Sequence, residues 1–310
     1  MKKIFLIILS TICIYADTYS FAIDNDGIIS KEDSHYTNGL FFVWMRDKNS
    51  SYNFNFLNDL KTNNAISFSH LIFTPKDKTK STPILNDIPY AGYAKLNLLL
   101  YKSTNNYFHE FGINIGVVGP ITGAKELQSN FHLLTGHSKP KGWDTQLGNR
   151  AMYGISYGFG KKSFNTNIGR FKFDWTNYVR GDLGRFYSGL FASSTIRFGT
   201  DFANSFCTTE NFIGADESNL LNFKEIKSFN YSIDFGIFAN RVFNYYIVDQ
   251  AINQGYNLPN IDYILGDQIS FNIYYKKVQF AFAIKSINVY NSFSSNQFKR
   301  WGEFKIVWRY

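Results

Sequence analysis

The sequence predicts an all-β fold: a transmembrane antiparallel β-barrel of about twelve strands, with a short loop helix near the extracellular rim. Segments in which apolar and polar residues strictly alternate recur along the chain. Aromatic residues make up 19% of the chain, yet the mean hydropathy is only −0.22. After residue 16, no stretch approaches the roughly 20 consecutive apolar residues that a membrane helix requires. The apolar surface is therefore dispersed over many strands.

The last eight residues show this alternation most clearly. Charged residues dominate one face of an extended strand, and large apolar residues occupy the other. The apolar set is Phe304, Ile306, Trp308 and Tyr310. Charges on the inner face and aromatic residues on the outer face invert the arrangement of a soluble protein, which indicates that the outside is lipid.

The same pattern predicts twelve strands, an even number that closes a barrel without leaving an unpaired edge in the membrane. Their expected positions are 18–25, 37–46, 66–73, 91–101, 108–118, 150–160, 166–178, 188–199, 228–248, 267–276, 278–289 and 301–310. The run 228–248 is too long to lie wholly in the membrane, and we expect it to project beyond the bilayer.

The N-terminal segment has the features of a secretory signal peptide. Two lysines precede an apolar run that ends at Tyr15-Ala16, so residues 1–16 are expected to direct export and residues 17–310 to form the barrel in the outer membrane of a Gram-negative cell. Cys207 is then the only cysteine of the mature chain, which excludes an intramolecular disulfide. The formal net charge of +8 suits anionic lipid phosphates better than nucleic acid, since the chain has no nucleic-acid-binding motif.

One segment departs from the alternation. Between Thr122 and Gly136, the residues Leu127, Phe131 and Leu134 recur at helical spacing, with Thr122 a candidate N-cap and Gly136 a candidate C′ residue. Two strands flank this segment, so we expect a helix of about residues 122–136 in a long loop at the barrel mouth.

Several polar residues near strand ends could carry chemistry. Asp24-Asn25-Asp26 offers the hard oxygen ligands that suit calcium, although an Asx-rich turn is the simpler interpretation of these residues alone. Gln128 and His132 share one helical face, as a general base and its neighbour would, although a solvated loop histidine is the simpler interpretation. Lys80 belongs to a lysine-rich loop that is either a solvated surface or a site for a phosphate or a developing oxyanion.

The sequence also contains a match to the serine-hydrolase motif G-x-S-x-G, centred on Ser156. That motif requires a sharp turn between a strand and a helix. Here the surrounding residues continue an alternating strand in which Ser156 faces the lumen, so we reject a serine nucleophile at this position.

Ordered sequence blocks in the first half of the chain resemble the outer-membrane lipid A 3′-O-deacylase family. These blocks are DNDG at Asp24–Gly27, HYTNG at His35–Gly39, FTP at Phe73–Pro75, IPYAGY at Ile88–Tyr93, the spaced glycine, glutamine and histidine residues of Gly116–His132, and GWDTQLGNR at Gly142–Arg150. The C-terminal half is similar to the family mainly in its strand pattern. The resemblance implies a twelve-stranded barrel whose active site lies between the barrel wall and the loop helix.

The same resemblance implies roles for six residues. The expected site comprises Asp26 as a Ca²⁺ ligand with Asn25 beside it, Thr37 and Gln128 lining the site, His132 as the base that activates water, and Lys80 as a stabiliser of the oxyanion. The implied substrate is lipid A within lipopolysaccharide, surrounded by outer-membrane lipids. A non-enzymatic pore and an outer-membrane phospholipase remain alternatives, because barrel patterning requires no active site and phospholipases share the ester chemistry.

Overall fold

The computed structural model describes residues 17–29, 35–48, 60–134, 136, 138–202, 204–209, 214, 217–290 and 297–310. The expected signal peptide, residues 1–16, lies outside these described residues.

A closed barrel of twelve antiparallel strands forms the fold, and β1 pairs with β12 to complete the ring. The strands are β1 (Asp17–Asn25), β2 (His35–Lys48), β3 (Lys61–Thr74), β4 (Ala91–Ser103), β5 (Tyr107–Val118), β6 (Arg150–Ile168), β7 (Phe171–Gly184), β8 (Tyr187–Gly199), β9 (Ile226–Tyr245), β10 (Tyr263–Lys276), β11 (Val278–Tyr290) and β12 (Gln297–Arg309). Closure gives the strand backbones neighbours on both sides, as the bilayer core demands. The predicted fold class is therefore confirmed.

In the part of the chain that the structure describes, two short α-helices lie in the connections at one end of the barrel: α1 (Ala124–Leu134) between β5 and β6, and α2 (Tyr246–Asn253) between β9 and β10. Within the described residues, neither helix has the length and apolar character needed to cross a membrane.

The two faces of the strands carry opposite chemistry, as the alternation predicts. Outward residues such as Ile113 and Phe304 are more than half exposed, at 58% and 55%. Inward positions carry buried ion pairs, including Arg197 with Asp174 at 2.6 Å. Apolar residues outside and paired charges inside are the arrangement that lipid surroundings favour.

Two predicted boundaries were wrong in the middle of the chain. Residues 161–168 continue β6, and the hairpin turn lies at Gly169, whose φ of +61° is a left-handed conformation that glycine adopts readily. A β-bulge between Lys162 and Phe164 inserts an extra residue into the ladder. The bulge shifts the alternation by one residue, which explains why the sequence pattern suggested an interruption there.

Two further boundaries differ from the expectation near the helices. The last residues of the predicted strand 228–248 belong to α2, because β9 ends at Tyr245. Thr122 is not the N-cap of α1: it lies in a 3-10 turn before Gly123, and its hydroxyl donates to the Gly119 carbonyl at 2.7 Å. Gly136 has a φ of +74°, as expected for a C′ residue.

The barrel ends differ in their connections, which suggests their orientation. At the end that holds Asp17 and Arg309, three hairpins turn within one to three residues, as periplasmic turns do. The opposite end carries α1 and α2, and we assign it to the cell exterior.

A segment between β8 and β9 enters the lumen from the periplasmic end. Glu217 accepts a hydrogen bond from Ser67 of β3 at 2.6 Å, and Thr209 bonds to Thr195 of β8 at 2.7 Å. The Phe206 ring lies edge-on to the Phe108 ring, with centroids 4.7 Å apart. These contacts place part of this connection inside the lumen.

Candidate active site on the outer wall

Helix α1 and the 3-10 turn that precedes it fold back against the outer wall of the barrel. Gly92 occupies an outward position on β4, and a side chain there would overlap the Thr122 hydroxyl and the Ala124 methyl group. Only a residue without a side chain allows this close approach. The sequence block that contains Gly92 therefore brings α1 onto the wall.

The outward face of β3 changes from exposed to buried toward the end of the strand that lies near α1. Ile66 and Phe68 are exposed, whereas His70, Ile72 and Thr74, which follow on the same face, are all buried. The His70 Nε2 atom lies 3.0 Å from the Thr122 carbonyl oxygen and donates to it, since a carbonyl only accepts. Ile72 packs in a small cluster with Tyr90, Ala124 and Trp143.

A β-bulge at the start of β2 turns Thr37 toward this covered region. The register with β3 shifts between Tyr36 and Asn38, so two residues of β2 face one residue of β3. The Thr37 hydroxyl lies 2.7 Å from the Thr74 hydroxyl, and both side chains are buried. The bulge thus places Thr37 beside the covered outward face of β3.

The segment with the candidate calcium ligand lies one strand further along the wall. Asp26 follows β1 in a 3-10 turn and is buried. The Ile28 side chain lies over Gly302 of β12, where an added Cβ atom would be only 2.6 Å from the Ile28 Cγ2 atom. The Asn25 side chain caps this turn by accepting the Gly27 N–H at 2.8 Å. With strands about 4.8 Å apart, β1 and β3 are separated by roughly 10 Å.

Three side chains form the buried face of α1, spaced four residues apart: Ala124, Gln128 and His132. The stripe of Leu127, Phe131 and Leu134 instead lies on an exposed flank, with exposures of 39%, 49% and 85%. A helix that buries polar residues and exposes apolar ones suits a position beside lipid. We call the space between this buried face and the outward face of β1–β4 the wall site.

His132 is held in one tautomer. Its Nδ1 atom lies 2.8 Å from the Ser138 carbonyl oxygen, so Nδ1 carries the proton and donates it. In the neutral ring, Nε2 then holds the lone pair, which is the form a general base requires.

Gln128 is oriented by a neighbouring tryptophan. The Trp143 indole N–H donates to Gln128 Oε1 at 2.8 Å, and both side chains are buried. Gln128 Nε2 is also buried and has no hydrogen-bond partner among the described residues. A buried donor without a partner is costly, and this amide has a hydrogen available for a bound molecule.

The loop before β4 is fixed to β2 by a contact between the His35 imidazole and the Asp87 carboxylate, with 3.1 Å between the His35 Nε2 and Asp87 Oδ1 atoms. Burial alone would raise the pKa of Asp87. Hydrogen bonds from His35 and from the backbone N–H groups of Lys76 and Ile88 outweigh this effect and lower the pKa below its usual value. The charged Asp87 therefore anchors the strand that carries Thr37.

The structure brings five of the six predicted site residues onto one side of the barrel: Asn25, Asp26, Thr37, Gln128 and His132. Lys80 is different, because its side chain is exposed in the loop between β3 and β4. The Lys80 carbonyl lies beside Gly142, adjacent to the turn that holds Trp143.

The oxygen donors of Asp26 match the ligand preference of calcium. Calcium prefers six to eight oxygen ligands, and the buried Asp26 carboxylate supplies oxygen. No group of three or more histidine, cysteine, aspartate or glutamate side chains suitable for a metal occurs in the described part of the chain. Asp26 thus fits as one ligand of a calcium ion whose other ligands would be amide, carbonyl, water or substrate oxygens.

Sequence reasoning missed three contributors to the wall site. Thr74 and Trp143 both lie in sequence blocks used for the family resemblance, but neither stood out as chemically reactive. His70 lies on the alternating strand β3, and only the covering α1 segment distinguishes it from a lipid-facing residue.

The fold and this site together define an outer-membrane β-barrel with a polar site between its lipid-facing wall and a loop helix. The family model for "Outer membrane protein LpxR" matches residues 4–310. This chain therefore belongs to the LpxR family, the outer-membrane lipid A deacylases.

A solved structure shares this fold, and two others superimpose less closely. LpxR from Salmonella typhimurium superimposes with a TM-score of 0.74 at 18% identity, covering 94% of this chain and 99% of that one. The KdgM porin in complex with disordered oligogalacturonate gives a TM-score of 0.42 at 6% identity, covering 94% and 99% of the two chains. The β domain of the Bordetella autotransporter BrkA gives 0.47 at 6% identity, covering 95% and 98%. A search of curated protein sequences gave no match.

Replacing Gly92 by valine tests the placement of α1. The new side chain would overlap Thr122 and Ala124 and displace the helix, so we expect deacylase activity to fall at least about tenfold, since misplacement by about 1 Å can cost far more. The assay is lipid A mass spectrometry, with folding checked by the heat-dependent mobility of the barrel on gels.

Gly148→Val is the matched control, because nothing lies within 4 Å of a side chain there. Full activity of Gly92→Val would show that α1 does not depend on this contact.

Proposed function

We propose that this protein is a calcium-dependent hydrolase that removes 3′-linked acyl chains from lipid A, with His132 activating the attacking water. Membership of the deacylase family supports the substrate class and the ester chemistry. The observation that carries the mechanism is the fixed His132 tautomer, on the face of α1 that is buried against the barrel wall.

The proposed reaction needs no protein nucleophile. Neutral His132 takes a proton from water through Nε2 while the water oxygen bonds to the ester carbonyl carbon. The bond from that carbon to the sugar oxygen then breaks, and the protonated His132 returns the proton to the leaving oxygen. Gln128 Nε2 is suited to donate to a substrate oxygen during this sequence.

Asp26, with Asn25 beside it, would hold the calcium ion. A bound Ca²⁺ supplies positive charge that stabilises negative charge on the carbonyl oxygen. The buried Asp26 carboxylate supplies an oxygen ligand, and the hydroxyl groups of Thr37 and Thr74 lie on the same side of the barrel, which agrees with a hard cation. The exposed Lys80 would act from the loop above, on a substrate phosphate or on the oxyanion.

The position of the wall site suits a substrate that remains in the bilayer. The exposed apolar flank of α1 continues the apolar character of the outer wall, where Ile66, Phe68 and Leu98 are exposed on β3 and β4. Acyl chains can therefore reach the wall site without crossing water. The pore alternative is less favoured, because the segment between β8 and β9 occupies the lumen.

His132→Asn tests the proposed base. Asparagine has no basic nitrogen, so we expect the 3′ acyl chain to remain on lipid A, with at least about a hundredfold loss of rate. Mass spectrometry of lipid A from cells that make the wild type or the variant measures this directly.

His109→Asn is the control, since His109 lies near the periplasmic end of β5 and bonds to Tyr157 on the wall. Unchanged lipid A with folded wild-type protein would refute the substrate, and loss of phospholipid acyl chains instead would favour the phospholipase alternative.

Asp26→Asn tests the proposed calcium ligand independently of activity. We expect wild-type protein in detergent to bind terbium, a luminescent calcium substitute, and the variant to bind it at least about tenfold more weakly because a charged ligand is lost. Asp201→Asn provides the control, since Asp201 is exposed at the periplasmic end. Equal terbium affinity in all three proteins would show that Asp26 is not a ligand of the ion.

A further inference from the structure

Trp143 and Gln128 form a pair whose hydrogen bond has only one possible direction. The indole N–H is a donor and cannot accept, and a glutamine amide has one accepting atom, its oxygen. The 2.8 Å bond between Trp143 Nε1 and Gln128 Oε1 therefore fixes which end of the amide faces the tryptophan. Without this donor, the amide could rotate and exchange its oxygen and nitrogen.

The fixed orientation turns the Gln128 NH₂ group away from Trp143. Gln128 is only 3% exposed, and its Nε2 atom has no hydrogen-bond partner among the described residues. It lies one helical turn from His132 on the face of α1 that meets the barrel wall. An unsatisfied donor at this position is suited to a substrate oxygen.

Trp143 is itself held firmly. It is 1% exposed, and its ring centroid lies 4.9 Å from that of Tyr90. Gly142 permits this contact, because any side chain there would overlap the Tyr90 ring. On the outer side, an ion pair of 2.6 Å between Lys125 and Asp144 connects the turn to α1. These contacts hold the Trp143 indole in place, so that its N–H group can orient the Gln128 amide.

We propose that Trp143 is a positioning residue for deacylation: it holds the Gln128 amide so that Nε2 donates to an oxygen of the ester under attack. This inference rests on the proposed function. A donor fixed in advance stabilises the developing negative charge without reorganising during the reaction. Trp143 acts only through Gln128 and does not touch the substrate.

The test is a double-mutant cycle with Trp143→Phe, Gln128→Ala and the double variant. Phenylalanine keeps an aromatic ring against Tyr90 but has no N–H group. The rate constant kcat and the KM for lipid A are measured with purified, folded protein in mixed micelles. We expect Trp143→Phe to lower kcat at least about tenfold with KM within about twofold, because orientation acts in the transition state.

The cycle separates positioning from general packing. If Trp143 acts through Gln128, then Trp143→Phe has no further effect on kcat in the Gln128→Ala background. Trp175→Phe serves as the control, since the Trp175 indole N–H bonds to Ser194 on the exposed wall. If Trp143→Phe does not fold, substitution of Trp143 by benzothienylalanine, which has sulfur in place of the N–H, gives the same test.

Two results would overturn the positioning role of Trp143 without affecting the proposed function. One is a wild-type kcat in Trp143→Phe. The other is a double variant whose loss of kcat equals the product of the losses in the two single variants. A folded wild type that leaves lipid A intact would overturn the proposed function, and this inference with it.

Discussion

The closed hydrogen-bonded ladder is the constraint on which the rest of the molecule depends. In hydrocarbon, an unpaired backbone group has no water to bond to, so twelve strands must form a ring with no edge. The ring then divides the side chains into a lipid-facing set and a lumen-facing set. In the lumen, charges such as Arg180 and Glu110 are paired at 2.9 Å. A polar site for a lipid substrate has to interrupt the apolar outer face.

That interruption is made by local departures from the regular strand. A bulge in β2 turns Thr37 toward Thr74, and Gly92 removes the side chain that would keep α1 away from the wall. The segment that carries α1 then covers His70, which bonds to the Thr122 carbonyl and would otherwise meet lipid as an unpaired polar group. Each departure is small, and together they convert part of a lipid-facing wall into a buried polar surface.

Much of the fold could be predicted, because alternation with period two is a direct consequence of strand geometry. The strand count and the position of α1 followed from it. The pattern failed at Lys162, where a bulge shifts the alternation, and at Tyr246, where an apolar run continues into a helix. Alternation carries no information about how a loop folds, so the filling of the lumen by the segment around Glu217 could not be anticipated.

The site was predictable only in part. Gln128 and His132 lie on one face because helical spacing requires it, whereas their burial depends on contacts with β3 and β4 that are distant in sequence. Residues such as Trp143 act through hydrogen-bond direction, which residue type alone does not reveal. The apolar stripe of α1 was visible, but the usual expectation that such a stripe faces a protein core fails beside a membrane.

Photo-crosslinking in cells would test whether lipid A is bound between α1 and the outer wall. Benzoylphenylalanine would replace either Phe131, on the exposed flank of α1, or Asn114, which lines the lumen. We expect a lipopolysaccharide adduct from position 131 and none from position 114. An adduct from position 114 alone would contradict it and move the substrate into the barrel.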